Sequence, residues 1–144
     1  MVDKVAPRRA GYAWFRPVTA RWMDNDVYGH VNNAHFYSYF DTVINRYLIE
    51  RGGLDIHASP VVGFVVSSAC DFFHPVAYPD DLEVGLRVER IGRSSVQYGV
   101  AVFAGSHDEA RAAGTVVHVF VERSASRSVE IPEPVRRALE AIAR

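Results

Sequence analysis

Asn32-Asn-Ala-His-Phe-Tyr-Ser-Tyr-Phe-Asp-Thr-Val-Ile-Asn-Arg-Tyr-Leu-Ile-Glu-Arg-Gly52 is the stretch on which the fold turns. Tyr37, Phe40, Ile44, Tyr47 and Leu48 recur at helical spacing, and Phe36, Tyr39 and Val43 form a second stripe beside them. Ser38, Asp41, Asn45 and Arg46 leave only a narrow polar strip. A helix apolar over most of its circumference has to be wrapped by other structure rather than laid on a surface. Asn32 or Asn33 supplies an N-cap, and Gly52-Gly53 a stop.

Upstream, Val18, Ala20 and Trp22 alternate with Thr19 and Arg21, which predicts a short strand. It ends at Asp24-Asn-Asp-Val-Tyr-Gly29, residue types that tolerate turn geometry. Residues 1–15 mix charge, Pro7 and aromatics without periodicity and read as a loosely ordered lead-in. Downstream, Val61 to Phe73 is a nearly continuous β-branched run that stops at His74-Pro75. Leu82, Val84, Leu86 and Val88 alternate with Glu83, Gly85, Arg87 and Glu89, the pattern of a half-buried strand. After the turn Gly92-Arg-Ser-Ser95 the alternation resumes at Val96, Tyr98, Val100 and Val102. Gly105 to Asp108 turns again, and the chain returns through Val116–Val121. Residues 134–143 read as a short closing helix. The expected architecture is α+β, one domain over residues 1–144: a long buried helix inserted after the first strand of a five-stranded antiparallel sheet.

Composition narrows the function. Forty-nine per cent hydrophobic and 23% charged residues is ordinary for a globular chain. A net charge of −1 argues against a nucleic-acid partner, which would call for a basic excess. The single Cys70 excludes an internal disulfide and reads as a small buried hydrophobe on a strand. No cluster of Cys, His or carboxylates has metal-ligand spacing, so no metal or cofactor is expected. His74 and His118 read as structural, and His57 and His107 as solvated loop residues. There is no run of 18 apolar residues and no leader-like apolar segment, so a soluble cytoplasmic protein without membrane insertion is expected.

Chemistry gathers just before the helix. A helix N-terminus offers free N–H groups and partial positive charge, which stabilise a developing oxyanion. A carboxylate on the preceding loop can face the same bound carbonyl as a base or nucleophile, and together they are the minimum kit for acyl transfer. The run Asp24-x-Asp26-x-x-Gly29-His30-Val31-Asn32-Asn33, followed by Tyr39-Phe40-Asp41, resembles the 4-hydroxybenzoyl-CoA thioesterase-like branch of hot-dog proteins. The likeness is greatest to its long-chain acyl-CoA thioesterases. It continues through Phe72-Phe-His-Pro75, Pro79-Asp-Asp-Leu-Glu-Val84, Gly92-Arg-Ser-Ser95 and Ile131-Pro-Glu133. The resemblance implies a hot-dog fold, hydrolysis of an acyl-CoA substrate, and assembly as homodimers commonly paired into tetramers with the site at the subunit interface. It places the catalytic carboxylate on Asp26 rather than Asp24, and the carbonyl-polarising backbone amide at about Asn33.

His30 matches a position common in part of that family, as a tuned acid or as a polar residue satisfied by a carboxylate. Tyr28 joins it as a candidate substrate contact. Arg90, Arg93, Ser94 and Ser95 around the Gly92 turn are candidates for the coenzyme A phosphates. Asp24 reads as a turn residue. Two alternatives stand beside hydrolysis. A hot-dog hydratase or dehydratase pairs an Asp with a His across four intervening residues, and neither Asp24 nor Asp26 stands at that spacing from His30. A non-catalytic acyl-CoA-binding module would have no need of Asp26.

Overall fold

The Asn32 side chain caps the long helix by accepting from the Ala34 N–H at 3.0 Å. That helix, α1 (Asn33–Gly52), ends at Gly53, whose φ of +73° is a left-handed conformation that glycine adopts without strain. Around it, in a computed structural model that describes residues 4–144, the chain forms one antiparallel sheet. Its strands are β1 (Trp14–Thr19), β2 (Val61–Phe72), β3 (Asp81–Ile91), β4 (Ser95–Ala104) and β5 (Ala112–Glu122). They lie in the order β1-β3-β4-β5-β2, and a two-residue β6 (Arg127–Ser128) adds to β5. The closing helix α2 (Glu133–Ala141) packs against α1, with the Tyr47 hydroxyl donating to the Ala138 carbonyl.

Strand alternation builds two cores. Leu82, Val84, Leu86 and Val88 of β3 and Val96, Tyr98, Val100 and Val102 of β4 face α1, where Phe36, Phe40, Val43, Ile44 and Leu48 fill the curl of the sheet. This is the hot-dog fold that the sequence led us to expect. On the opposite face Ala101 and Phe103 meet Tyr12, Phe73, Ala110 and Ala113.

Several expectations need correction or refinement. The first strand runs Trp14–Thr19, so the lead-in ends earlier than residue 15; its residues 1–3 lie outside the described part. Trp22 belongs to a single 3-10 turn, Trp22–Asp24, and is 80% exposed rather than on a buried strand face. Ordered contacts also hold the lead-in down. The Arg9 guanidinium stacks 4.7 Å from the Phe103 ring, pairs with Glu83, and donates to the carbonyls of Gly105 and His107. The sheet wraps only one side of α1: Tyr37 and Ile49 stay exposed, as do Phe64, Val65 and Val66 in the middle of the edge strand β2. Cys70, near the end of that edge strand, is half-buried rather than buried, and desolvation pushes its thiol up to about 12.

His118 is fully buried on β5, its Nδ1 3.3 Å from the Tyr98 hydroxyl. Gly63 of the neighbouring β2 makes room for it, since a Cβ there would stand 2.7 Å from that nitrogen.

Candidate active site

The loop between β1 and α1 is built around two carboxylates with opposite fates. Asp24 is 1% exposed. Its Oδ2 accepts from the Arg21 N–H at 3.0 Å and from the Tyr39 hydroxyl at 2.7 Å, and its Oδ1 from Arg21 Nε at 3.0 Å. Burial alone would push this carboxyl up; the hydrogen bonds from Arg21 and Tyr39 outweigh it and hold the group below its ordinary value. Asp24 is therefore committed to structure, as the sequence suggested. Asp24→Ala should leave the buried Tyr39 hydroxyl without an acceptor, at a cost of about 1–3 kcal/mol. Thermal melting should show a drop of several degrees.

Asp26 is only half-buried. Its Oδ1 accepts from the Tyr28 N–H at 2.9 Å and its Oδ2 from Asn32 Nδ2 at 3.2 Å. The loop closes on itself: Asp26 N–H donates to the His30 carbonyl, and Gly29 N–H to the Asp26 carbonyl. Gly29 sits at φ +85°, where a side chain would be strained. Each carboxylate oxygen keeps lone pairs beyond the single bond it accepts, so Asp26 can still take a proton or attack a carbon.

Asn32 is the N-cap that the sequence offered, but it has a second role that the sequence did not disclose. Its Oδ1 caps Ala34 while its Nδ2 holds Asp26, so one side chain fixes the carboxylate relative to the helix. Its carbonyl accepts from the His35 N–H. The Asn33 N–H then has no hydrogen-bond partner among the described residues and stands at the positive end of α1.

Beside this N-terminus opens an almost wholly apolar cleft of about 230 Å³. Its walls include His30, Asn33, Phe36, Phe72, His74 and Val76, with the Phe36 and Phe72 rings edge-to-face at 5.1 Å. The Val31 N–H donates to the Val76 carbonyl and ties this wall to the Asp26 loop. His30, on the cleft wall, and Tyr28, on the same loop, are both exposed; the His30 imidazole makes no hydrogen bond to Asp26, and Tyr28 holds that carboxylate through its backbone alone. Among the described residues no three His, Cys, Asp or Glu side chains are grouped as metal ligands.

Asp26, Tyr28, His30 and Asn33 are thus brought together. Arg90, Arg93, Ser94 and Ser95 are not. Antiparallel pairing sets Thr19 against Asp81, so the Asp26 loop leaves the sheet at the start of β3, whereas Arg90 and the Gly92 turn lie at its far end. Arg136 of α2 donates there to the Gly92 and Arg93 carbonyls, near the C-terminal end of α1. The 20 residues of α1 imply a separation of roughly 30 Å within one protomer.

The chain and its fold have matches among known proteins. Residues 19–139 match the thioesterase-like superfamily, and the chain belongs to that family. It is 57% identical to the PA5185 protein of Pseudomonas aeruginosa strain PAO1, with a TM-score of 0.94 over 96% of both chains. A thioesterase of Thermus thermophilus, solved with coenzyme A and Zn, is 32% identical with a TM-score of 0.77, covering 92% of this chain and 95% of that one. The uncharacterized protein YsmA of Bacillus subtilis is 23% identical over 133 residues, 91% of this chain and 88% of its own.

Proposed function

We propose that this protein hydrolyses a coenzyme A thioester to a free acid and coenzyme A. The observation that carries the reading is that Asn32 fixes the half-buried Asp26 carboxylate to the start of α1, where the Asn33 N–H has no partner among the described residues and Asn33 itself lines an apolar cleft. Its family, and a relative solved with coenzyme A, support the same class of substrate. In this reading the thioester oxygen accepts from the Asn33 N–H, which strengthens as negative charge develops there. Asp26 either takes the proton of an attacking water or attacks the carbonyl carbon itself. The C–S bond breaks, the thiolate leaves and takes up a proton, and water supplies the oxygen of the acid. The cleft receives an apolar part of the substrate, and Tyr28 and His30 line the approach. The test is release of free thiol from a panel of acyl-CoA substrates differing in chain length and in alkyl or aryl character. Turnover of none of them would sink the reading in favour of a binding module.

We also propose that the working unit is a homodimer or a pair of dimers. β2 is the edge of the sheet, with unpaired backbone along one side and Phe64, Val65 and Val66 exposed at its centre. Tyr37, Ser38 and Asp41 of α1 form a cleft with Val65 and Ser68 on the same flank. An exposed hydrophobic edge is a template for pairing with another copy. Arg90, Arg93, Ser94 and Ser95 take part in a site only as contributions from another copy in such an assembly. Light scattering should give a mass at least twice the 16.1 kDa of the chain. Val65→Glu should shift it toward the monomer; a wild-type monomer at micromolar concentration would refute the proposal.

A further inference from the structure

A second, polar cleft of about 140 Å³ adjoins the apolar one, and His74 lines both. Its other walls are His107, Asp108, Glu109 and Arg111, from the connection between β4 and β5. The two clefts are held in fixed relation by backbone bonds. Phe73 and His74 N–H groups donate to the Arg111 carbonyl at 2.8 and 3.1 Å, and Val31 N–H donates to Val76. One continuous rail therefore runs from the entrance of α1, along residues 72–76, to Arg111.

The charges in the polar cleft are unevenly spoken for. The carboxylates of Asp108 and Glu109 pair with Arg8 at 2.7 and 3.1 Å. Arg111, between the acids and β5, takes neither of them. Its Nε is buried without a hydrogen-bond partner among the described residues, an arrangement that is costly for a cationic donor. His74 and His107 are exposed beside it and can donate. A guanidinium with no carboxylate partner among the described residues, set beside imidazoles in a recess, suits a group with several negative oxygens, with Arg8 offsetting the two acids.

We infer that this cleft binds a negatively charged oxygen group of the substrate, remote from the thioester and held chiefly by Arg111 with His74 and His107. Resting on the thioesterase reading, this names the substrate as a thioester with such a group within reach of the apolar cleft. Two parts of a thioester offer that chemistry: the phosphates of the carrier, and a carboxylate at the far end of the acyl group.

Calorimetric binding of thioether analogues, which cannot turn over, separates both sources from catalysis. One pair is S-butyl-coenzyme A against S-butylpantetheine, which lacks the phosphates. The other is S-butyl-coenzyme A against its ω-carboxylated counterpart. Arg111→Gln should weaken the anion-bearing member of one pair by roughly 10- to 100-fold, the loss of a charge-assisted hydrogen bond, and leave the other member unchanged. Selectivity within the first pair assigns the site to phosphate, and within the second to carboxylate. Arg111→Lys should restore part of the affinity, and His107→Ala should act in the same direction more weakly. Equal weakening of S-butyl-coenzyme A and S-butylpantetheine, or no weakening of any analogue, overturns the inference. Wild-type protein that binds these analogues yet hydrolyses no thioester would refute the hydrolase reading and leave the anion site standing.

Discussion

Replacing Asp26 by Asn should lower kcat/KM by about 10²–10⁴-fold on a good acyl-CoA while the protein stays folded. The substitution preserves shape and the acceptor for the Tyr28 N–H, and removes only the charge and the acceptor facing Asn32. Asn32 continues to cap α1 through its Oδ1, so melting should move by no more than a few degrees. Asp24→Ala should behave in the opposite way, with lost stability and, in the surviving folded fraction, activity much nearer wild type. The ranking of the two variants is the decisive measurement. If the Asp24 variant proves folded and dead while the Asp26 variant is active, the roles of the two carboxylates have been exchanged.

The second large effect concerns pH. Burial pushes the His118 imidazole down to about 4, from an ordinary value of 6.5. The neutral ring is enclosed by Tyr98, Phe120 and Gly63, and no carboxylate faces it from β2, β4 or β5. In the unfolded chain this histidine binds its proton at the ordinary value, so between pH 6.5 and 4 the unfolded state holds more protons than the folded one. Stability therefore falls as pH is lowered through that window, by about 3 kcal/mol for this group alone. Above that window His118 contributes no slope. Urea melts at several pH values should show the decline. His118→Gln, which keeps a polar partner for Tyr98 and cannot take the proton, should flatten it. An equally steep decline in the variant would assign the acid lability elsewhere.

Helix α1 is legible in the sequence because its information is local: a cap, a periodic apolar run and a glycine stop, all within a few residues of one another. The meander is legible for the same reason, since alternation and turn glycines mark each strand of β3, β4 and β5. Alternation places β1 too late in the chain. Val18, Ala20 and Trp22 alternate, but Trp22 turns outward in a 3-10 turn, and the true anchor is Trp14 against α1. The exposed centre of β2 is hidden because a β-branched run reads the same whether this chain or another covers it. Asp26 is found through a family motif, whereas its tie to Asn32 crosses six residues and emerges only once the loop is closed. The polar cleft has no sequence signature at all; His74 and Arg111 are far apart in the chain and meet through the pairing of β2 with β5.

Because the Asn32 amide serves the helix with one atom and Asp26 with the other, the start of α1 and the aim of the carboxylate form a single mechanical part. The first turn of a helix opens far more cheaply than the core beneath it. Warming that loosens Asn32 would leave the Asp26 carboxylate held on one side alone, by the Tyr28 N–H, and would unsettle the Asn33 N–H at the same moment, while Phe40, Ile44 and Leu48 still hold the core together. Under the proposed mechanism, activity would then be lost below the temperature at which the fold melts, and one asparagine would set the gap.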